Sequence, residues 1–295
     1  MVVSSSGVNG QQDPLYSLYM FDKMLINPGY AGSSNWVVAT AKYREQARSF
    51  TGHPVTQTFN IHTPVQRKHI GLGLKVINDK LPLQSTLNAS LFFSYHLSLA
   101  GGKLSAGIEG GMIRKSTNFR ELILWSPGDQ TIPADAVTAN MPDVAAGLYY
   151  QKKQFYLGLS AAHLLPPRDN LSPVKAPAQH LYLIAGNVFS IGRDWTLDPS
   201  VLVKYVSTSQ PQVDANLLLY YDDKVGVGLQ YRNNDALVAL ARIEIIRGLR
   251  LAYGFDYGIT SRRSFAHGSH EIILSYGVKL APPPARKEVH PRYYF

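Results

Sequence analysis

Between Leu249 and Tyr257 every second residue is large and apolar: Leu249, Leu251, Tyr253, Phe255 and Tyr257 alternate with Arg250, Ala252, Gly254 and Asp256. Successive side chains of a strand point to opposite faces, so this spacing makes one face greasy and the other small, polar or charged. A helix would scatter the same residues around its circumference. Val225, Val227, Leu229 and Tyr231 repeat the pattern against Gly226, Gly228, Gln230 and Arg232, and Ile70, Leu72, Leu74 and Val76 do so against Gly71, Gly73, Lys75 and Ile77. Alternation of this kind recurs about fourteen times, near 35–46, 56–64, 69–78, 84–99, 102–114, 143–150, 154–161, 180–191, 195–206, 212–221, 224–231, 236–246, 249–258 and 270–280. The chain is therefore read as all-β.

The connections sort by parity. Those after even-numbered segments are tight: Val65 to Lys68, Ala100-Gly101, Gln151 to Lys153, Gly192 to Asp194, Asp222-Asp223 and Arg247-Gly248. Those after odd-numbered segments are mostly longer, notably Lys115 to Pro142, Ala162 to Gln179 and Ile259 to Ser269. An antiparallel outer-membrane β-barrel has this asymmetry and an even strand number, whereas a soluble sandwich has no reason for it. Closure also meets a physical demand, because in hydrocarbon every backbone donor needs a partner and only a ring has no open edge. Trp36, Tyr149-Tyr150, Trp195 and Tyr220-Tyr221, near strand ends, are read as interfacial girdles. With the apolar faces toward lipid, the lumen-facing set includes Lys75, Glu109, Arg242, Glu244, Arg250, Asp256, Glu271 and Lys279, whose mixed signs suit internal ion pairs.

Composition agrees with this class. Hydrophobic residues make up 45 % of the 295 and charged residues 17 %, too apolar for a disordered chain. There is no cysteine, which removes disulfides, thiolate metal sites and cysteine nucleophiles. The net charge of +9 comes from dispersed basic residues with only short clusters, Arg67-Lys68 and Arg262-Arg263, so no nucleic-acid partner is expected. The nine histidines show no metal spacing, and no cofactor is expected. Glu121, Asp135 and Asp143 near the longest loop are the residues to weigh for a hard cation, against ordinary solvated carboxylates. AGGKLS, Ala100 to Ser105, lacks the spacing of a phosphate loop and is read as a hairpin turn. For a barrel hydrolase, Ser160 with His163 or Ser269 with His270 would have to meet near one rim; the reading is non-enzymatic.

Gln11 to Gly32, QQDPLYSLYMFDKMLINPGYAG, is apolar and aromatic but has neither period. A fourteen-strand barrel is too wide for its own side chains to fill, so water or a segment occupies it. This stretch has the size and chemistry of a plug, and the alternative is a periplasmic arm against the rim. Residues 1–10 are read as a signal remnant or flexible leader, 11–34 as the plug or arm, 35–280 as the barrel and 281–295 as a proline-stiffened periplasmic tail.

QDPLYSLYMF followed by NPGYAG closely resembles the opening of the PorP/SprF family of outer-membrane proteins of type IX secretion and gliding motility, with Gly29 where that family usually has alanine. The resemblance continues through YREQ (Tyr43 to Gln46, then Ala47 in place of the usual tryptophan), HPVTQTFNIHTPV, IGLGLKVINDK, PDVAAGLYY, YLGLSAAHL and HEIILSYGVKL. It implies a non-enzymatic accessory component in the outer membrane of a Gram-negative cell, and the even strand count puts both termini on the periplasmic side. Its implied partners are outer-membrane lipid, other secretion components and a secreted surface protein or adhesin held through its C-terminal sorting domain. Expected plug or partner contacts are Asp13, Pro14, Tyr16, Tyr19, Phe21, Asn27, Pro28, Tyr30, Tyr293, Tyr294 and Phe295. The alternative is a pore for a small solute gated by the N-terminal segment.

Overall fold

The structure, a computed structural model, describes residues 14–46, 52–65, 68–118, 135–165, 174–207, 209–259 and 268–281. Its strands are β1 (Trp36–Gln46), β2 (Val55–Val65), β3 (Ile70–Leu81), β4 (Gln84–Leu99), β5 (Gly102–Thr117), β6 (Val137–Lys152), β7 (Phe155–Ala162), β8 (His180–Asn187), β9 (Phe189–Ile191), β10 (Trp195–Val206), β11 (Gln212–Tyr221), β12 (Val225–Arg232), β13 (Ala236–Ile246), β14 (Leu249–Gly258) and β15 (Ser269–Lys279). Only Val188 separates β8 from β9, and both pair with β10, so together they make one stave. Every neighbour is antiparallel, and β1 pairs with β15 from Trp36↔Lys279 to Gln46↔Ser269. The result is a closed barrel of fourteen staves, without an open edge to satisfy.

Alternation sets the boundaries where it persists: β4, β10, β11, β13 and β14 begin and end where the sequence places them. The largest difference is in the β5–β6 hairpin. Its ladder runs on to Thr117↔Val137, although the apolar period stops at Arg114 and resumes at Asp143. Past the greasy belt the outward face turns polar at Ser116, Thr138 and Asn140 while Val137, Ala139 and Met141 face inward, so outward hydrophobicity no longer marks the strand while backbone pairing continues. The connections 66–69, 100–101, 153–154, 192–194, 222–224 and 247–248 are short and share one end. At the other end 47–54, 118–136, 163–179 and 259–268 are long, but 82–83 and 233–235 are as tight as those opposite. Ala100 (φ 49°) and Gly101 (φ 74°) both take left-handed conformations, the type I′ geometry that follows strand twist, so AGGKLS begins with a hairpin turn.

The faces are inverted relative to a water-soluble protein. Leu91, Ile108, Val227 and Leu229 are each more than half exposed, while Lys42, Arg44, Asn60, Lys75, Glu109 and Glu271 are buried. The aromatic girdle is thinner than the sequence reading: Tyr150, Trp195 and Tyr221 lie on the outward face, with the last two rings 5.0 Å apart. Tyr149 and Tyr220 are buried inside, because neighbours in a strand cannot share a face, and Trp36 lines an internal cavity.

Residues 14–35 lie among the inward-facing side chains. Three single 3₁₀ turns, Tyr19–Phe21, Lys23–Leu25 and Pro28–Tyr30, follow one another, carried by i→i+3 bonds such as Asp22 N to Tyr19 O (3.0 Å) and Ala31 N to Pro28 O (3.2 Å). Short 3₁₀ turns joined by kinks have no continuous apolar stripe, which accounts for the missing period. Ser17, Leu18, Tyr19 and Met24 are wholly buried on every side.

Candidate functional site: a luminal segment with two anchors

The segment runs the length of the lumen. Trp36 leaves it at the short-turn end, whereas Pro14 lines a cavity with Leu81, Gln84 and His163 at the long-loop end. Different chemistry holds each half.

Near the long-loop end the anchor is ionic. Ser17 Oγ donates to Asp256 Oδ2 (2.7 Å) and accepts from Arg44 Nη1 (3.0 Å) and Arg232 Nη2 (2.9 Å). The backbone N–H groups of Ser17 and Leu18 donate to Oε2 and Oε1 of Glu271, at 2.7 and 3.1 Å. Arg44 also bridges Asp256 and Glu271 at 2.8 Å each, Lys42 reaches Glu271 at 3.2 Å, and Arg232 reaches Asp214, Asp235 and Asp256. Buried charges are tolerable only when paired and hydrogen-bonded, and here the segment supplies part of the pairing. Tyr19 accepts from Asn216 Nδ2, and Asp22 Oδ2 accepts from Asn60 Nδ2 at 2.7 Å.

Toward the short-turn end the anchor is steric. Asn27 to Ala31 lie in a trough cut into β3, β5, β6 and β7 by Gly71, Gly107, Gly147 and Gly158. A Cβ on Gly107 would overlap the backbone of Pro28, and one on Gly71 would overlap the carbonyl of Ala31. Asn27 fixes the register: Nδ2 donates to the carbonyls of Leu148 (2.9 Å) and Leu159 (3.3 Å), and Oδ1 accepts from Gly29 N (2.8 Å), capping the turn that Pro28 opens. Ser160 Oγ donates to the Ile26 carbonyl, Ser94 Oγ to that of Ala31 (2.6 Å) and Lys103 Nζ to that of Ser33. Tyr30 stands edge-on to Tyr149 and His62, with centroids 5.2 and 5.6 Å away.

Of the residues singled out from sequence, Tyr19, Asn27, Pro28 and Tyr30 make these contacts. Pro14 and Tyr16 line the cavity at the long-loop end, with Lys42 Nζ 4.3 Å from the Tyr16 ring centre, and Phe21 lines the one at the short-turn end. Asp13, Tyr293, Tyr294 and Phe295 lie outside the described residues, as does Glu121. Asp256 and Glu271 join the ionic anchor, and Lys75 pairs with Glu109 at 2.6 Å. Arg242 and Arg250 face Glu244 at 3.7 and 3.0 Å near the short-turn rim, where Arg250 is half exposed; Lys279, last in β15, is exposed. Sequence reasoning missed Ser17, Lys42, Arg44 and Asp214, and it put Arg232 on the polar face of its strand without naming it among the lumen residues. Strand parity was the available signal: Lys42 and Asp214 stand between apolar or small neighbours, and Arg44 and Arg232 each follow an outward tyrosine.

The catalytic pairings do not assemble. Ser160 is engaged by Ile26, while His163 Nδ1 lies 2.9 Å from Asp143 Oδ1. Ser269 and His270 are consecutive strand residues on opposite faces, and His270 contacts Tyr253 Oη (2.7 Å) outside. Asp135 is exposed and Asp143 is committed to His163 and Asn88; among the described residues no three His, Asp or Glu side chains gather as metal ligands.

Residues 8–276 match the family described as type IX secretion system membrane protein PorP/SprF. The chain belongs to this family. No curated protein sequence matches it. Among solved structures the fold resembles the Ralstonia pickettii toluene transporter TbuX, at 9 % identity and TM-score 0.54, over 88 % of this chain and 93 % of that one. The monoaromatic hydrocarbon channel CymD is similar at 11 % identity and TM-score 0.52, over 87 % and 92 %. These likenesses show an outer-membrane barrel fold and nothing finer. This PorP/SprF protein is an outer-membrane component of type IX secretion.

Proposed function

We propose that this PorP/SprF protein is a docking and anchoring component rather than the conduit for its client. The observation that carries the reading is the lumen itself. The segment touches β1–β7, β11, β12, β14 and β15, which supports reading it as a plug that bars a polypeptide. The work then falls to the two rims. In this reading the long-loop rim receives a secreted surface protein or adhesin through its C-terminal sorting domain. The short-turn rim, from which β15 ends and the residue 281–295 tail departs, faces the periplasm and contacts other secretion components. The chain reaches β1 from the same side. Recognition is by shape and polar complementarity, with no bond made or broken.

Deleting the gene tests this directly. One or a few sorting-domain proteins should disappear from the cell surface while general permeability stays unchanged, and mild-detergent purification should co-elute a large surface polypeptide. Unaltered display of every such protein refutes the proposal.

A further inference from the structure

Residues Met20 to Ile26 form a partition. Leu25 and Ile26 line a cavity of about 190 Å³ at the long-loop end, and Met20, Phe21, Asp22 and Lys23 line another of about 450 Å³ at the short-turn end. The outer cavity has Lys75, Glu109 and Asp143 in its wall; the inner one has Asp198, Arg242 and Arg250. This stretch of the segment thus borders both cavities.

The two anchors differ in what release would cost. Asn27 to Ala31 are gripped by backbone in a trough without Cβ atoms and tethered to β1 only five residues on. The half that begins at Pro14 is held by side-chain bonds around Ser17 and by buried Leu18, Tyr19 and Met20. Its departure leaves Lys42, Arg44 and Arg232 facing Asp214, Asp256, Glu271 and the half-exposed Asp235, so every buried cation keeps a carboxylate partner. We infer that residues 14–26 are a hinged gate turning at Asn27, latched by Ser17 on the Arg44–Arg232–Asp256–Glu271 cluster, and that its release joins the two cavities into a narrow aqueous path for ions and small solutes. This rests on the plug reading above and adds which half moves, about which residue and from which latch. Local opening of this kind draws on the least firmly held part of a fold.

The absence of cysteine permits a clean lock. A Cβ placed on Gly254 lies 3.3 Å from Leu18 Cγ, a spacing that suits a disulfide between Leu18→Cys and Gly254→Cys. Single-channel currents of the full-length protein in planar bilayers are the measurement. Wild type should open rarely, and Ser17→Ala should raise the open-to-closed ratio by about thirtyfold or more, since hydrogen bonds to charged groups are lost. The oxidised double-cysteine protein should stay closed, and reductant should restore openings in the same membrane. Openings in the oxidised lock, or an unchanged ratio in Ser17→Ala, overturn the gate. So does silence in every form, whereas the docking role fails only if surface display survives gene deletion.

Discussion

Ser17→Ala removes one oxygen from the interior and is the sharpest test of what holds the segment. That oxygen makes three hydrogen bonds of 2.7 to 3.0 Å, all to ionised groups, in a residue with no exposed surface. Bonds to charged partners contribute about 1.5–3 kcal/mol each when removed singly. The sum overstates the loss, because Arg44 and Arg232 keep their carboxylates and the backbone bonds to Glu271 survive. A cost of about 2–4 kcal/mol to docking remains, equivalent to roughly a 30- to 1,000-fold larger opening constant. Amide hydrogen exchange of the detergent-solubilised barrel reads this constant locally. The amides of Ser17 to Asp22 should exchange faster by that factor, while those of Tyr30 and Ala31 and of the strands hold their protection. A change below about threefold at Ser17 to Asp22 would show that these bonds only replace equivalent ones to water. Equal acceleration at Tyr30 would show that the two halves are one cooperative unit.

Gly107→Ala should displace Asn27 to Ala31 at a cost of about 1–3 kcal/mol or more, as overpacking does, seen as loss of protection at Tyr30. Gly110→Ala on the same strand meets nothing within 4 Å and should be silent. Glu109→Gln leaves Lys75 buried without its counter-ion and should lower stability by about 3–5 kcal/mol in thermal melts, whereas Lys75→Met with Glu109→Leu should be nearly neutral.

How much of this was legible in the sequence depends on the distance over which each feature is encoded. Strand faces are written every two residues, so five strands match at both ends, and the failure at Lys115–Pro142 falls where the hairpin leaves the apolar belt and the outward face turns polar. The trough was half legible. Gly71, Gly107, Gly147 and Gly158 all fall on inward positions, and glycine inside a strand marks close approach of another backbone. Nothing local says that the approaching backbone is NPGYA; it even favours Gly29, since a Cβ there would stand 3.0 Å from the Ser105 carbonyl. The latch was not legible. Arg44 on β1 and Arg232 on β12 are 188 positions apart in sequence, with three strands between them in the sheet, and no ladder pairs them. Alternation shows that both point inward; only the curvature of the closed wall brings both guanidinium groups to one point, and a hydroxyl from a third part of the chain is what joins them there. A barrel without its segment would still present that cluster of opposite charges in the lumen, self-paired and wet. The segment converts it into a dry junction, so the site depends on chain closure first and on the docking of Ser17 second.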